Sequence, residues 1–386
     1  MTRLQQRDAF VSGCVLSMGL AFATPSAAQW HVDVGGEAEG VYDSNPVLSV
    51  TDPQELAGVI LTPTVRVARL GGSFDIQADA EFGFEQFVIG DEFNTETQDV
   101  SVQTKHRGTK SELGLSARYA RDNARRNLED NLGNFEPNSR VNVVDLSSSY
   151  ARALAERTTV NVGASYLSQT YEEERLRDFD FVLVSAGLRQ ALTQRHTLTF
   201  DAGVGDVDTD PGEDADATIY YTSGGFQSQI TPRLSFKASG GPEWVDQFSV
   251  VDGTTNVDTG YRVGAEATFG VLDDFFLTTS FDRRSSPSGI GAVVQDDRYS
   301  LTLIKRLHQR STFRTVTTYV SRDSEVFQGT FEDFVTARAE WRLRIARRAE
   351  FSVSYTYRDQ TFSGGVDVDA HVVSVALKRP LLLPGG

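Results

Sequence analysis

Apolar and polar residues alternate along much of this chain, most clearly in segment 74–85. Its apolar positions are Phe74, Ile76, Ala78, Ala80, Phe82 and Phe84, and its acidic positions are Asp75, Asp79, Glu81 and Glu85. Successive side chains of a β-strand point to opposite faces, so the pattern predicts a strand with one apolar and one acidic face. Segment 335–345 repeats the design, with a polar face made of Arg338, Glu340, Arg342 and Arg344.

Eighteen such segments follow one another, and each has at least the ~9–11 residues that a tilted membrane strand needs. They are 30–42, 57–69, 73–87, 98–107, 111–121, 140–152, 157–170, 180–191, 195–206, 217–229, 233–245, 257–270, 274–284, 297–307, 311–321, 333–345, 349–359 and 367–378. The weakest are 57–69, 98–107 and 274–284, so 16 strands is the alternative count. Strands of this kind cross a bilayer in a closed barrel without any long apolar run.

The connections alternate between short turns and longer, mostly acidic loops. Five short turns end on an arginine: Arg157, Arg195, Arg233, Arg310 and Arg348. The intervals between them are 38, 38, 77 and 38 residues, and the turn at 271–274 fills the missing place without an arginine. One repeat is therefore a hairpin of two long strands. A propeller blade would need four short strands in each repeat, so a propeller is disfavoured.

Short turns at one rim and longer loops at the other are typical of bacterial outer-membrane barrels. The sequence predicts one all-β domain over residues 29–386, a transmembrane antiparallel up-and-down β-barrel of about 18 strands. The short turns are expected on the periplasmic side and the longer loops on the extracellular side. Aromatic side chains near strand ends are expected to form belts at the membrane interfaces, among them Trp30, Phe87, Trp244 and Tyr319.

Residues 1–28 predict a cleaved signal peptide. Arg3 and Arg7 form a basic start, an apolar stretch covers 9–23, and small residues allow cleavage after Ala28. Export of this kind places the expected location in the outer membrane of a Gram-negative bacterium. Cleavage would also remove Cys14, the one cysteine of the chain, so neither disulfides nor thiolate metal sites are expected in the barrel.

The chain is strongly acidic, with a formal net charge of −16. Cleavage after residue 28 would remove Arg3, Arg7 and Asp8, two basic groups and one acidic group, and bring the charge to −17. Such a surface argues against a nucleic-acid partner. The expected partners are outer-membrane lipid, lipopolysaccharide and the outer-membrane assembly machinery.

The sequence offers little for catalysis. The five histidines are His31, His106, His196, His308 and His371. Four of them lie at the chain start or at predicted short turns, and His371 shares a face with apolar residues. No Gly-x-Ser-x-Gly elbow occurs. We therefore expect no enzyme, no catalytic residue, no cofactor and no metal site; the acidic segment 206–216 does not have the spacing of a calcium loop.

The polar faces of segments 74–85 and 335–345 supply the candidate functional residues. The first carries an acidic ladder of four carboxylates, and the second carries three arginines and Glu340. Counted through the closure of an 18-stranded barrel, the two ladders would stand five strands apart. Opposite charges on the wall of a water-filled lumen would create a transverse field that selects among ions. The alternative is that these charges pair with neighbouring strands and fill a polar interior.

The stretch Gly40-Val41-Tyr42-Asp43-Ser44-Asn45-Pro46 and the Leu-x-x-Arg turns resemble the β-barrel porin type 2 family of outer-membrane proteins. That resemblance implies a barrel over the whole mature chain and brings no catalytic residues. Members of the family are often associated with loci for exopolysaccharide or capsule export. The chain departs from the usual pattern of outer-membrane barrels at its end, where Val375–Leu381 precedes Pro384-Gly385-Gly386 and no terminal aromatic residue occurs.

These features together predict a porin-like passive conduit for small hydrophilic solutes. One alternative is the outer-membrane component of an exopolysaccharide or capsule export system, with periplasmic polysaccharide-export proteins as partners. A second alternative is a non-conducting structural or adhesive surface barrel.

Overall fold

The computed structural model describes residues 30–123, 139–173, 176–209, 216–249, 254–289, 292–323, 331–362 and 365–381. In chain order the strands are β1 (Trp30–Asp43), β2 (Leu56–Arg69), β3 (Phe74–Ile89), β4 (Thr95–Arg107), β5 (Ser111–Asn123), β6 (Arg140–Ala155), β7 (Thr158–Tyr171), β8 (Phe179–Ala191), β9 (His196–Thr209), β10 (Ala217–Thr231), β11 (Leu234–Ser249), β12 (Thr254–Leu272), β13 (Phe275–Ser288), β14 (Ala292–His308), β15 (Ser311–Asp323), β16 (Phe331–Ala346), β17 (Ala349–Phe362) and β18 (Val366–Leu381). A 3-10 turn at Asp91–Phe93 precedes β4. Within these ranges no helix is long and apolar enough to cross a membrane. The predicted signal peptide lies outside them.

The strands form one closed antiparallel sheet. Each strand pairs with its neighbour in the chain, and the sheet closes where β1 pairs with β18, with Gly40 opposite Val375 and Glu37 opposite Lys378. Closure leaves no free edge, so the backbone groups of every strand are paired without water. The prediction of a barrel with 18 strands is confirmed over the described residues. The 16-strand alternative is wrong, because the three weak segments form β2, β4 and β13.

The strands run further toward the long loops than the sequence predicts. Segment 246–257 was expected to be a loop, yet β11 continues to Ser249 and β12 starts at Thr254. The ladder of backbone hydrogen bonds needs no apolar face once a hairpin has left the membrane. Where both faces of a strand are polar, apolar and polar residues do not alternate, so the sequence pattern does not show that the strand continues.

The two faces of the sheet separate as the alternation predicts, with one exception among the belt aromatics. Phe82 and Phe84 point outward and are exposed, whereas Glu85 points inward and is buried. The prediction that Phe87 belongs to an outer belt is wrong, because Phe87 has the parity of Glu85 and is only 5% exposed. The outward position belongs to Val88, which is 88% exposed where the ladder of β2 and β3 slips.

Tyrosines on the outer surface mark the rim that carries the long loops, here called the long-loop rim. The Tyr166 hydroxyl donates to Asp180 Oδ1 at 3.0 Å, and the Tyr319 hydroxyl donates to Asp333 Oδ1 at 2.6 Å. Trp30 is exposed at the opposite, short-turn rim. An aromatic body with a polar tip suits the boundary between hydrocarbon and headgroups.

A β-bulge before the two-residue turns explains the repeated apolar residue but not the arginine, since the turn at 273–274 follows the same slip without an arginine. The ladder slips by one residue just before turns 156–157, 232–233, 309–310 and 347–348. The inserted residue is Leu154, Ile230, Leu307 or Ile345, and each of these side chains is exposed. An arginine follows three residues later, at the end of the turn. Bulges increase the local twist of a hairpin, which matches the sharp reversal here.

The carbonyl groups of four repeat arginines connect one hairpin to the next. Arg157 O accepts from Ala191 N at 2.8 Å, Arg195 O from Gln229 N at 2.9 Å, Arg233 O from Gly270 N at 2.7 Å, and Arg310 O from Arg344 N at 2.8 Å. The residue at the arginine position therefore makes the first backbone hydrogen bond between successive hairpins. Because each hairpin makes one such bond, the position recurs once in every hairpin.

Closure can be tested with a cysteine pair at Gly40 and Val375, in a chain whose Cys14 is replaced by serine. Directly opposite residues of an antiparallel pair have Cα atoms ~4.5–5.5 Å apart, within the range of a disulfide. A side chain at position 40 also has room, because the nearest atom to an added Cβ is Val375 O at 3.9 Å. We expect oxidation of G40C/V375C to link the two ends, seen as altered migration of the denatured chain. Equal cross-linking of the offset pair V32C/V375C would contradict the register.

Candidate permeation pathway

Charged side chains on the inner wall of the barrel keep much of their surface exposed. The exposed fraction is 50% for the Arg338 side chain, 46% for Arg342 and 59% for Lys378. The wall is closed and these side chains point inward, so the space they face is accessible to water. Charged groups stay ionised in such a space without the cost of burial in a dry interior.

The predicted acidic ladder of β3 divides into residues with different surroundings. Asp75 lies at the short-turn rim, where its carboxylate accepts from Gly71 N at 3.0 Å and pairs with Arg107 at 2.7 Å. Asp79 accepts from Arg66 Nε of the adjacent strand. Glu81 is exposed on the inner wall, and Glu85 is fully buried toward the long-loop rim.

The predicted basic ladder of β16 is partly neutralised by its own glutamate. Glu340 is nearly buried and pairs with Arg342 at 2.9 Å and with Arg338 at 3.7 Å. Arg344 is exposed one step nearer the short-turn rim. Both pairs are open to solvent on the arginine side, so they contribute little stability and leave net positive charge facing the lumen.

Residues from the two ladders meet at one cavity on the inner wall. Asp79, Glu81, Arg342 and Arg344 line a space of about 580 Å³ that Lys378 also borders. The strands between the ladders are β2, β1, β18 and β17, the separation of five strands that the sequence predicts. Asp75, Glu85, Arg338 and Glu340 lie outside this cavity.

The segment after β1, residues 44–55, folds into the barrel mouth, and side chains of Asp43 and Asn45 hold the turn that directs it there. Asp43 Oδ1 accepts from Asn45 N at 3.1 Å. The Asn45 side chain then donates to Ser49 O at 3.1 Å and accepts from Ser49 N at 2.9 Å. Between them Leu48 adopts a φ of 51°, a left-handed conformation that is uncommon outside glycine. These Asx-type bonds hold a tight local turn.

The inward segment fills the long-loop end of the barrel with apolar side chains. Leu48 is fully buried against Val320 of β15, Phe334 of β16 and Ala370 of β18. Val47 packs with a second group, made of Leu56, Phe87 and Phe93. The lumen is therefore narrowed at this end, while the charged wall nearer the short-turn rim stays open to water.

A nearly buried ion pair anchors the inward segment to the opposite end of the chain. Arg358 of β17 contacts Asp43 Oδ2 at 2.5 Å and also donates to Asn45 O at 3.3 Å. The two side chains are only 14% and 10% exposed. A charge-assisted bond in such surroundings is strong because water cannot replace it.

Further residues from the loop after β7, residues 172–173 and 176–178, lie at the same mouth. Leu176 packs against the Leu48 cluster and also against the cluster of Val141, Tyr171 and Phe179. Arg177 N donates to Gly289 O, after β13, at 2.6 Å. Segments that start on distant strands therefore meet over the lumen.

Two buried charge networks in this region were not found from the sequence. Arg322 makes paired bonds of 2.6 and 2.9 Å to Asp296. Glu243, 1% exposed, accepts from Ser285 N at 2.9 Å and lies 3.8 Å from Arg262. The Arg322–Asp296 and Glu243–Arg262 pairs join neighbouring strands, and the Ser285 bond joins β13 to β11 across β12, so only the arrangement of the strands identifies these networks.

Neither a protein-family model nor a curated protein sequence matches this chain. Solved structures match it in fold. The outer membrane protein opdK of Pseudomonas aeruginosa has a TM-score of 0.50 at 10% identity, covering 91% of this chain and 99% of that one. OccAB4 of Acinetobacter baumannii has a TM-score of 0.50 at 9% identity, covering 93% and 100%. The fold is that of an outer-membrane β-barrel.

A third match extends over only part of its counterpart. The FrpB iron transporter of Neisseria meningitidis, in its F5-1 variant, has a TM-score of 0.52 at 8% identity. The alignment covers 86% of this chain and 62% of that one.

The anchor of the inward segment can be tested with Arg358→Gln. The change leaves the Asp43 carboxylate without its cation in a nearly buried place, and breaking such a pair costs roughly 3 kcal/mol. We expect a lower urea midpoint and cleavage within residues 44–55 by added protease. The matched control is Arg338→Gln, whose ion pair is half exposed and should contribute less than about 1 kcal/mol. Equal effects of the two variants would contradict the anchoring role.

Proposed function

We propose that the protein is a porin-like passive conduit for small hydrophilic solutes in the outer membrane. The observation that carries this proposal is the half-exposed charge on the inward face of a closed barrel. Solutes that keep their hydration can occupy such a lumen, whereas the outer face presents apolar side chains to lipid. Among the similar structures, one is described as an outer membrane protein and another as an iron transporter. The first supports membrane placement, and the second supports transport over catalysis.

The mechanism we propose has two stages. The mouth at the long-loop rim limits the size of a solute, because the inward segment and residues 172–173 and 176–178 occupy it. The wall beyond then selects by charge, since Asp79 and Glu81 face the same cavity as Arg342 and Arg344. A field across the lumen orients dipolar solutes and favours those with separated charges.

The other two hypotheses have narrower support. The export hypothesis depends on the resemblance of Tyr42–Pro46 and the Leu-x-x-Arg turns to the porin type 2 family. The contacts of Asp43 and Asn45 are all within the barrel, so they give this motif a role in shaping the mouth that needs no periplasmic partner. A purely structural or adhesive barrel has no use for an open charged wall. We therefore favour the conduit.

Planar-bilayer recording of the refolded protein tests the proposal. We expect discrete conductance steps, and no conductance at any applied voltage would contradict a conduit. In a salt gradient, Arg344→Glu should move the reversal potential toward cation selectivity, because it reverses an exposed charge on the lumen wall.

The matched control is Arg195→Glu, which makes the same charge change at an exposed turn on another part of the rim. Its reversal potential should stay close to that of the unaltered protein. If Arg344→Glu behaves as the control does, the wall charges have only a structural role.

A further inference from the structure

The repeated short turns combine an outward apolar side chain with an arginine. Before four of the turns the bulge inserts Leu154, Ile230, Leu307 or Ile345, and each stands exposed on the outer surface. Arg157, Arg233, Arg310 and Arg348 follow three residues later, and all are exposed. Leu192 and Arg195 repeat the pair in a longer turn. These pairs are called turn units below.

The arginines of the turn units make few contacts within the protein. Arg157 reaches Leu192 O at 3.4 Å, and Arg233 pairs with Asp273 at 2.6 Å, a pair open to solvent. The side chains of Arg195, Arg310 and Arg348 have no hydrogen bond or ion pair within the part of the chain that the structure describes. The guanidinium groups of Arg195 and Arg310 are therefore available to an external ligand, whereas Arg348 also lines the inner cavity with Arg342 and Arg344.

The outer surface is enriched in basic residues at the short-turn rim and in carboxylates at the long-loop rim, although Glu156, Asp273 and Asp274 also lie in short turns. Further basic residues stand at or beside the short turns: Arg69, Lys110, Arg152, Lys305, Arg347 and Arg379. Outward carboxylates near the long-loop rim include Asp180, Asp333, Asp359 and Asp369. Cations are thus concentrated at one rim in a chain whose net charge is −16. Composition alone would favour acidic groups at both rims.

From this arrangement we propose that the turn units bind the phosphate groups of anionic phospholipids in the membrane leaflet next to the short turns. The apolar side chain of each unit lies at the edge of the hydrocarbon, and arginine extends from there to the headgroups. A guanidinium presents paired donors that match phosphate oxygens. Each basic residue near an anionic surface strengthens binding roughly fivefold.

The distribution of the units favours lipid over a protein partner. They occupy five of the eight short turns, from the β6–β7 turn to the β16–β17 turn, and so extend around more than half of the circumference that lipid surrounds. A protein partner would contact one arc of the rim and would have no need of apolar residues that point sideways into the membrane. The proposal requires that the barrel spans a bilayer, and it does not depend on conduction.

Tryptophan quenching by brominated lipid tests the proposal. Trp341 lies on β16 near the units of Arg310 and Arg348, and Trp30 lies at the same rim. Trp244→Phe removes the tryptophan of β11, so the signal comes from the short-turn half. In vesicles of phosphatidylcholine and brominated phosphatidylglycerol, we expect a preference for phosphatidylglycerol around this rim, seen as stronger quenching than its share of the vesicle lipid would give. R310Q/R348Q should reduce this preference. We expect a roughly fivefold loss for each of the two arginines that binds lipid in contact with Trp341 or Trp30.

Two further variants separate local binding from net charge. R310K/R348K keeps the charge and should keep most of the preference. R121Q/R140Q removes the same charge from the long-loop ends of β5 and β6 and should leave the preference intact. Retained heat-modifiable mobility in detergent gels shows that each variant is folded before its lipid preference is compared.

Three outcomes would overturn the proposal. The first is that the unaltered barrel shows no preference for phosphatidylglycerol, which would favour an acidic protein as the partner of the basic rim. The second is an equal loss in R121Q/R140Q, which would reduce the effect to net charge. The third is a preference in R310Q/R348Q equal to that of the unaltered barrel, which would show that these arginines do not contact lipid phosphate. No ion gradient is used, so failure here is distinct from failure of the conduit.

Discussion

Backbone hydrogen bonding in the absence of water is the constraint on which the other features depend. A peptide group in hydrocarbon has no water to bond, so a sheet in a membrane must close on itself. Here closure is made by β1 and β18, which pair from Val34 and Leu381 to Asp43 and Val372. Closure separates an outer surface in lipid from an inner surface that water can reach. The alternation of residues along every strand is the consequence of that separation.

Closure also creates the contacts that shape the mouth. It brings the end of β1 beside β17 and β18, so Asp43 meets Arg358 across 315 residues of sequence. The turn that Asp43 and Asn45 form then sends Leu48 inward against strands from the other end of the chain. A short motif near the start of the barrel thus narrows the lumen only because the sheet is closed. At the other rim the charged wall remains open, and this difference between the two ends supports size selection before charge selection.

The sequence predicts periodic features well and unique features poorly. Alternation identifies every strand, and the recurring arginine places the short turns, because both repeat many times in one chain. Alternation shows which face a residue occupies but not how deep it lies, so Glu81 and Glu85 look equivalent although one is exposed and the other buried. Phe87 lies near a strand end, as belt aromatics do, but its position in the alternation turns it inward. The pairs Asp43–Arg358 and Asp296–Arg322 depend on closure and register, which no local pattern contains.

The central claim is that the inner wall faces water and the outer wall faces lipid. Thiol labelling of single-cysteine variants along β3, in proteoliposomes and with Cys14 replaced by serine, tests it most directly. With a membrane-impermeant reagent, the Glu81→Cys variant should react and the Phe82→Cys variant should not. Reaction at both positions, or at neither, would contradict a water-filled lumen enclosed by this barrel.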